Sequence, residues 1–196
     1  NYLTTRLAHQ VIVHGRQQAS VLIQRHRVAT DKVNVVPLGP PEVFTALTNG
    51  RVTPDSRTVL FFGRLRAYKG VEVLIRAAPL IAAQVPDVRI VIAGSGEYPA
   101  VHQAAREHPQ WFEVHNRFIA AEEVPHFFQR AAVVVQPYLE ATQSGVLPLA
   151  YLFGRPVVAT RVGSIPEVLD GGQTGYLVEP GDERALAEAV IRLLKD

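Results

Sequence analysis

The sequence predicts an α/β fold built around a doubly wound parallel β-sheet. Residues 133–135 form a β-branched run that is typical of a strand buried on both faces of a parallel sheet. From Thr58 onward, such strands alternate regularly with helical segments that carry apolar residues on one face. The composition, 47% apolar and 19% charged in 196 residues, is ordinary for a globular protein. Strands that alternate with helices form βαβ units, and these units build a parallel sheet.

Residues 1–40 are predicted to form one short unit. Its elements are a strand at 10–14, a helix over 16–27 and a strand at 32–37. Residues 41–57 are polar and rich in turn residues, including Asn49-Gly50, so we expect a linker there. Residues 58–196 then form the main domain.

The main domain is predicted to contain six strands separated by helices. The strands are expected at 58–63, 88–93, 112–115, 133–135, 156–160 and 174–178. The first helix runs from Val71 to Val85, and Pro79 inside it is expected to bend or split it. A later helix is expected to open at 163–167, and Asp182 is expected to cap the final helix.

Composition excludes several classes of protein. The chain has no cysteine, so it can form neither a disulfide framework nor a thiolate metal site. A formal charge of +2 with dispersed basic residues argues against nucleic-acid binding. No signal peptide and no apolar run of about 20 residues is visible, so we expect a cytoplasmic protein. The chain begins at Asn1 and contains no methionine, which indicates a fragment or a processed chain.

A basic turn follows the strand at 58–63 and is the first candidate site. Arg64 and Lys69 lie in this turn, and Gly63 and Gly70 flank them. Arginine offers a planar fork of donors and lysine a compact charge, which together suit a diphosphate. The alternative is a pair of solvated surface cations with no ligand.

A second polar turn separates the strand at 133–135 from the next helix. Glu140 lies in this turn and could accept hydrogen bonds from sugar hydroxyls, although it could also be an ordinary exposed acid. Thr142 or Ser144 could contact a ligand or simply cap the helix. Ligands bind at the carboxyl ends of the strands in such sheets, so we expect both polar turns at one edge. None of the seven histidines has a partner at metal-ligand spacing, so we expect no metal site.

The ordered motifs resemble the nucleotide-sugar-binding half of a retaining glycosyltransferase of the GT-B fold, family 4. The matching segments are 62–65 with 69–70, 90–96, 154–160 with 163 and 166–167, and 175–182. The resemblance covers the chain from about residue 33 onward. Residues 1–32 resemble the last strand and helix of that family's amino-terminal, acceptor-binding domain.

The resemblance implies a Rossmann-like domain that binds a UDP- or GDP-sugar, with neither metal nor cofactor. The sugar would pass with retention to an unknown acceptor, such as a sugar, a lipid-linked glycan or a small molecule. The amino-terminal domain could associate peripherally with a membrane. The implied catalytic residues are Arg64, Lys69 and Glu140. The implied substrate-binding residues are Gly63, Gln143, Ser144, Gly145, Arg117, Phe118 and Ile119.

One departure from the family pattern concerns two glutamates that the family usually places seven residues apart. Leu149 occupies the second, ribose-binding position, and Glu140 falls one residue before the first position, which is Ala141. The ribose contact and the nucleotide therefore stay open. So do two alternatives, a non-catalytic scaffold and a GT-B relative such as an epimerase or a phosphorylase. We expect the chain alone to bind nucleotide weakly and to lack transferase activity.

Overall fold

The computed structural model describes residues 2–48, 53–169 and 173–196, and the predicted Asn49-Gly50 turn lies outside these ranges. The described chain contains a two-stranded sheet and a six-stranded sheet. No helix in the described ranges is long and apolar enough to cross a lipid bilayer.

The two-stranded sheet belongs to the amino-terminal part of the chain. Its parallel strands are β1 (Val11–Val13) and β2 (Val33–Val35), preceded by helix α1 (Tyr2–Leu7). The predicted helix over 16–27 is present but shorter and less regular, because α2 (Arg16–Ser20) continues as a π-helical segment, Val21–Arg25. Two β-branched residues in that segment lower its preference for the α-helix.

The segment predicted as a linker contains a short helix, α3 (Val43–Ala46). Its Phe44 packs against an apolar cluster of the main domain. This contact attaches part of the segment to the domain surface, a tertiary effect that its polar composition does not reveal.

The predicted parallel sheet is confirmed, with strand order β5-β4-β3-β6-β7-β8. Its strands are β3 (Thr58–Phe62), β4 (Arg89–Ala93), β5 (Phe112–His115), β6 (Val133–Gln136), β7 (Val157–Thr160) and β8 (Gly175–Val178). Helices cover both faces, as doubly wound topology requires. They are α4 (Val71–Gln84), α5 (Pro99–Glu107), α6 (Val124–Arg130), α7 (Val146–Leu152) and α8 (Glu183–Lys195).

Two buried apolar clusters lie on opposite faces of the six-stranded sheet. On one face, residues of α4, α5 and α8 pack against alternate strand residues such as Val59 and Val133. On the other face, residues of α6 and α7 pack against Leu60 and Val134. Since side chains alternate along a strand, consecutive residues supply the two clusters.

Three local predictions have different outcomes. Asp182 does cap α8, because its side chain accepts a hydrogen bond from the Ala185 amide at 2.9 Å. Pro79 was predicted to bend or split its helix; α4 is continuous, so the split is wrong, and Pro79 lies on the exposed face of the helix. The helix predicted to open at 163–167 is also wrong, because only one 3₁₀ turn, Ile165–Glu167, forms there.

The order of the strands reverses direction between β3 and β6. From β3 the chain proceeds outward through β4 and β5, and then returns to place β6 on the other side of β3. Val59 and Leu60 pair with Val133 and Val134 across this junction. In open α/β sheets, the crevice at such a reversal, beyond the carboxyl ends of the strands, is where ligands bind.

Candidate functional site

The loops that follow β3 and β6 pack directly against each other at the reversal. The Leu139 amide donates a hydrogen bond to the Tyr68 carbonyl at 2.8 Å. Gly70 has φ +64, and a Cβ atom there would overlap the Pro137 carbonyl oxygen. The glycine is therefore required both by its left-handed backbone and by the close approach of the two loops.

Lys69 is partly buried at this junction. Its Nζ atom lies 3.7 Å from the centroid of the Tyr138 ring and 5.4 Å from that of Tyr68. Burial and then the charge of Arg64 lower the pKa of Lys69 to about 8. Among the described residues, no carboxylate forms an ion pair with Lys69 or Arg64. Two neighbouring cations without a counter-charge favour the binding of an anion.

Arg64 is exposed and follows Gly63, whose backbone has φ +131. A Cβ atom on Gly63 would meet no atom within 4 Å, so the space beside this backbone is open. Hydrogen bonds of 2.9 Å run from the Gly63 amide to the Ala93 carbonyl and from the Leu65 amide to the Ser95 carbonyl. These bonds fasten the loop that carries Arg64 to the loop after β4.

Glu140 lies on the loop that packs against the loop carrying Lys69. Its amide is 3.4 Å from the Tyr68 carbonyl, and its side chain is exposed. Within the described ranges its carboxylate makes no ion pair. The three residues predicted as catalytic thus come from two interlocked loops, while their roles stay predictions.

The residues predicted to bind the donor at 143–145 lie before α7. The Ser144 hydroxyl accepts a hydrogen bond from the Val146 amide at 3.2 Å and lies 3.4 Å from the Tyr138 hydroxyl, so it supports the start of the helix. Burial raises the pKa of Tyr138 to about 12. The Gln143 side-chain oxygen is buried and has no partner in the part of the chain that the structure describes, whereas Gly145 is exposed.

The loop after β5 holds the three residues predicted to line a base pocket. Arg117 forms a two-pronged ion pair with Glu123, with one N–O distance of 2.8 Å. Ile119 is buried, whereas the Phe118 side chain is 80% exposed. Since the Arg117 guanidinium is already paired, this loop would offer a ligand its backbone and the Phe118 ring.

Sequence reasoning missed Asn116 and Tyr138. The Asn116 side chain accepts from the Gly96 amide at 3.1 Å and donates to the Gly96 carbonyl at 2.9 Å, which joins the loops after β4 and β5. Tyr138 lies beneath Lys69 and is buried. An aromatic residue two positions before Glu140 could have indicated a platform, but its partner is set only by loop packing. No cluster of three or more histidine, cysteine or acidic side chains in the described ranges could hold a metal ion.

The chain is similar to several known proteins. Residues 56–196 match the family described as "Glycosyl transferases group 1". The D-inositol 3-phosphate glycosyltransferase of Corynebacterium diphtheriae is 31% identical over 210 residues, covering 95% of this chain and 48% of that protein. The chain spans about half the length of the curated relatives it matches.

Solved structures share this fold. TarM of S. aureus, in a complex that includes UDP, has a TM-score of 0.84 at 16% identity and covers 100% of this chain and 38% of its own. HepE of Anabaena, in complex with UDP-glucose, has a TM-score of 0.76 at 22% identity. The match covers 99% of this chain and 56% of the HepE chain. The fold is that of a GT-B glycosyltransferase domain, as predicted.

Proposed function

Because the chain belongs to the group 1 glycosyl transferases, we propose that it is the donor-binding half of a retaining, family 4 enzyme that transfers sugar from a nucleotide sugar. In the reaction, the bond from the anomeric carbon to the diphosphate oxygen breaks. A bond to an acceptor hydroxyl oxygen forms, the hydroxyl proton is released to solvent, and the nucleoside diphosphate departs. The activity is proposed for the whole protein, of which this chain supplies one part.

The observation that carries the proposal is the unpaired cation pair at the strand reversal. Arg64 and Lys69 lie on one loop, near each other, and make no ion pair within the described ranges. A diphosphate supplies the missing negative charge, and it gains one further negative charge when its bond to the sugar breaks. The two cations would therefore stabilise the leaving group without a metal ion.

We favour UDP as the nucleotide. The structures of TarM and HepE hold UDP or UDP-glucose, which supports this choice over GDP. The base would lie by the loop after β5, two strands from Arg64, a separation of roughly 10 Å at the usual strand spacing. That separation is comparable to the length of a nucleoside diphosphate. The ribose contact would not come from Leu149, whose side chain is buried in an apolar cluster.

Residues 1–40 are proposed to be the end of an amino-terminal, acceptor-binding domain, followed by a linker at 41–57. A sheet of only two parallel strands is rare in isolation. Ile12 on β1 is 64% exposed and Val35 on β2 is 40% exposed, which fits strands that belong to a larger sheet. The acceptor, and any contact of that domain with a membrane, would be determined largely by the remainder of the protein.

A second candidate is a non-catalytic domain that binds a nucleotide sugar. Leu149 favours this candidate, because it stands where the family usually has the glutamate that binds the ribose of the donor. Turnover of nucleotide sugars by the full-length protein, with Glu140→Ala as the comparison, separates the two candidates. An enzyme loses most of its activity in this variant, whereas a scaffold shows no turnover in either form.

The proposed donor site is tested by calorimetry of the chain with UDP, GDP and ADP. We expect UDP to bind with a dissociation constant of about 1 mM or tighter, and more tightly than GDP or ADP. Absence of binding to all three nucleotides would contradict a donor site. Preference for GDP would correct the nucleotide and leave the site itself in place.

A further inference from the structure

Glu167 joins the amino-terminal unit to the main domain. Its two carboxylate oxygens accept hydrogen bonds from the backbone amides of Arg16 at 2.6 Å and Gln17 at 2.9 Å. Both amides are at the start of α2, and Glu167 ends the 3₁₀ turn after β7. Hydrogen bonds to an ionised carboxylate are stronger than neutral ones, so this contact holds the two parts of the chain together.

The same junction is closely packed around Gly15. A Cβ atom on Gly15 would overlap the side chain of Ser164, which lies three residues before Glu167. The Ser164 amide donates to the Thr142 carbonyl at 2.9 Å. The turn that holds α2 is therefore also bonded to the loop that carries Glu140.

Two recesses lie between the parts that Glu167 joins. The wider one, with about 760 Å³ of open space, has Gln17, Gln18 and Leu22 on one wall and Thr142 and Gly163 on the other. A narrow cleft beside it is lined by residues that include His14, Gln143 and Ser144. The narrow cleft has room for about one water-sized group, the size of a sugar hydroxyl.

The narrow cleft offers hydrogen-bonding groups to such a hydroxyl. His14 Nδ1 lies 2.9 Å from the Val36 carbonyl oxygen, which can only accept, so Nδ1 carries the proton. In the neutral ring Nε2 is then an acceptor, and no described residue hydrogen-bonds to it. Gln143 also lines the cleft, and its side-chain amide nitrogen can donate to the hydroxyl oxygen, whereas its amide oxygen is buried out of reach.

The narrow cleft is also close to the proposed diphosphate site. One face of the Tyr138 ring contacts Lys69, and the Tyr138 hydroxyl is 3.4 Å from the Ser144 oxygen that lines the cleft. Lys69 and the Ser144 wall of the cleft therefore contact the same side chain, Tyr138.

We propose that Glu167 is a positioning residue for the sugar of the donor. By holding the amides of Arg16 and Gln17, it sets His14 opposite Gln143 and so forms one cleft for a sugar hydroxyl from two parts of the chain. The inference rests on the proposed function, because it requires a sugar-bearing nucleotide at Lys69.

The first test needs no ligand and measures amide hydrogen exchange at Arg16 and Gln17 by NMR. Glu167→Ala is expected to speed exchange at both amides by about tenfold or more, because they lose their acceptors. Glu167→Gln, which keeps one neutral acceptor, is expected to have a smaller effect. Glu188→Gln, an exposed glutamate on α8, is the control and should change neither rate. Unchanged exchange in Glu167→Ala would overturn the proposal.

The second test measures by calorimetry how much the sugar adds to affinity. The readout is the dissociation constant for UDP divided by that for the tightest of UDP-glucose, UDP-galactose and UDP-N-acetylglucosamine. Glu167→Ala and His14→Phe are each expected to lower this ratio about fivefold, with UDP affinity within about twofold of wild type. Gly15→Ala, which forces the parts to separate while keeping Glu167, should act in the same direction.

The remaining outcomes also decide the question. An equal loss of UDP and UDP-sugar affinity would make Glu167 merely structural, and a wild-type ratio of one or less would mean that no cleft receives the sugar. If the wild-type chain binds no nucleotide at all, the proposed function fails and the sugar cleft fails with it. Failure of the proposed function can be told apart from failure of the Glu167 contact, because the exchange rates at Arg16 and Gln17 are measured without ligand.

Discussion

The ammonium group of Lys69 lies over the ring of Tyr138, with Nζ 3.7 Å from the ring centroid. The ring face attracts the cation, but it carries no formal charge and cannot neutralise it. Burial and Arg64 both disfavour the charged form, which lowers the pKa of Lys69 to about 8. In the free protein the charged form of partly buried Lys69 is thus disfavoured, and a bound diphosphate would stabilise that charged form.

Nucleotide affinity should depend on pH through Lys69. With a pKa of about 8 in the free protein, Lys69 loses its charge as pH rises from 7 to 9, whereas bound diphosphate would keep it protonated. We expect UDP affinity to fall about tenfold over this range, since the terminal phosphate of UDP is already almost fully ionised at pH 7. Calorimetry at several pH values measures the slope.

Lys69→Arg is the control for this pH dependence, because an arginine stays charged throughout the range. Its UDP affinity should vary little between pH 7 and 9. An equally steep decline in Lys69→Arg would assign the titration to another group and contradict the account.

The packing between the loops after β3 and β6 can be tested with two matched glycines. Gly70 and Gly154 have nearly the same backbone, φ +64 and φ +63, but only at Gly70 would a Cβ atom overlap another residue, Pro137. Gly154→Ala should cost about 1 kcal/mol of unfolding free energy from backbone strain alone. Gly70→Ala should cost about 2 kcal/mol more, because the loops must move apart. Urea denaturation measures both, and equal costs would mean that the loops are not held together.

The stability of the fold at low pH should depend on Glu113. Hydrogen bonds from Arg130, opposed by burial and assisted by His115, hold the pKa of Glu113 at about 2. The distances are 2.8 Å for both bonds from Arg130. A carboxyl whose pKa is lowered on folding stabilises the protein above its unfolded pKa, and this contribution disappears as pH falls through about 2.

Glu113→Gln should therefore lower the unfolding free energy at pH 7 by about 1 kcal/mol, a value that allows for solvent screening. The difference from wild type should be smaller at pH 3. Urea denaturation at the two pH values provides the comparison, with exposed Glu188→Gln as the control. A difference that grows towards low pH would contradict the assigned ion pair.

The sequence predicted the sheet because each strand carries its own apolar pattern. Residues 133–135 are β-branched and buried, and β6 is a central strand as that pattern indicates. The helix predicted at 163–167 failed because its glycine, serine and proline are typical of a helix start but do not determine whether a helix continues. The predicted split at Pro79 does not occur, and the proline alone does not indicate that it lies on the exposed face of a continuous α4.

The candidate site was predictable only in part. Arg64, Lys69 and Glu140 follow strands, so their placement at one edge follows from parallel topology. Two contacts could not be inferred from the sequence, because they depend on loop packing. One joins Lys69 to Tyr138, 69 positions away, and the other joins the amides of Arg16 and Gln17 to Glu167, about 150 positions away.

The central claim is that the cations at the strand reversal bind a diphosphate, and UDP calorimetry of Lys69→Met tests it most directly. Lys195→Met on α8 makes the same substitution away from the site and serves as the control. We predict that Lys69→Met weakens UDP binding by about tenfold or more while its melting temperature is equal to or above that of wild type, because a disfavoured buried charge is removed. Unchanged UDP affinity, or a large fall in melting temperature, would contradict the claim.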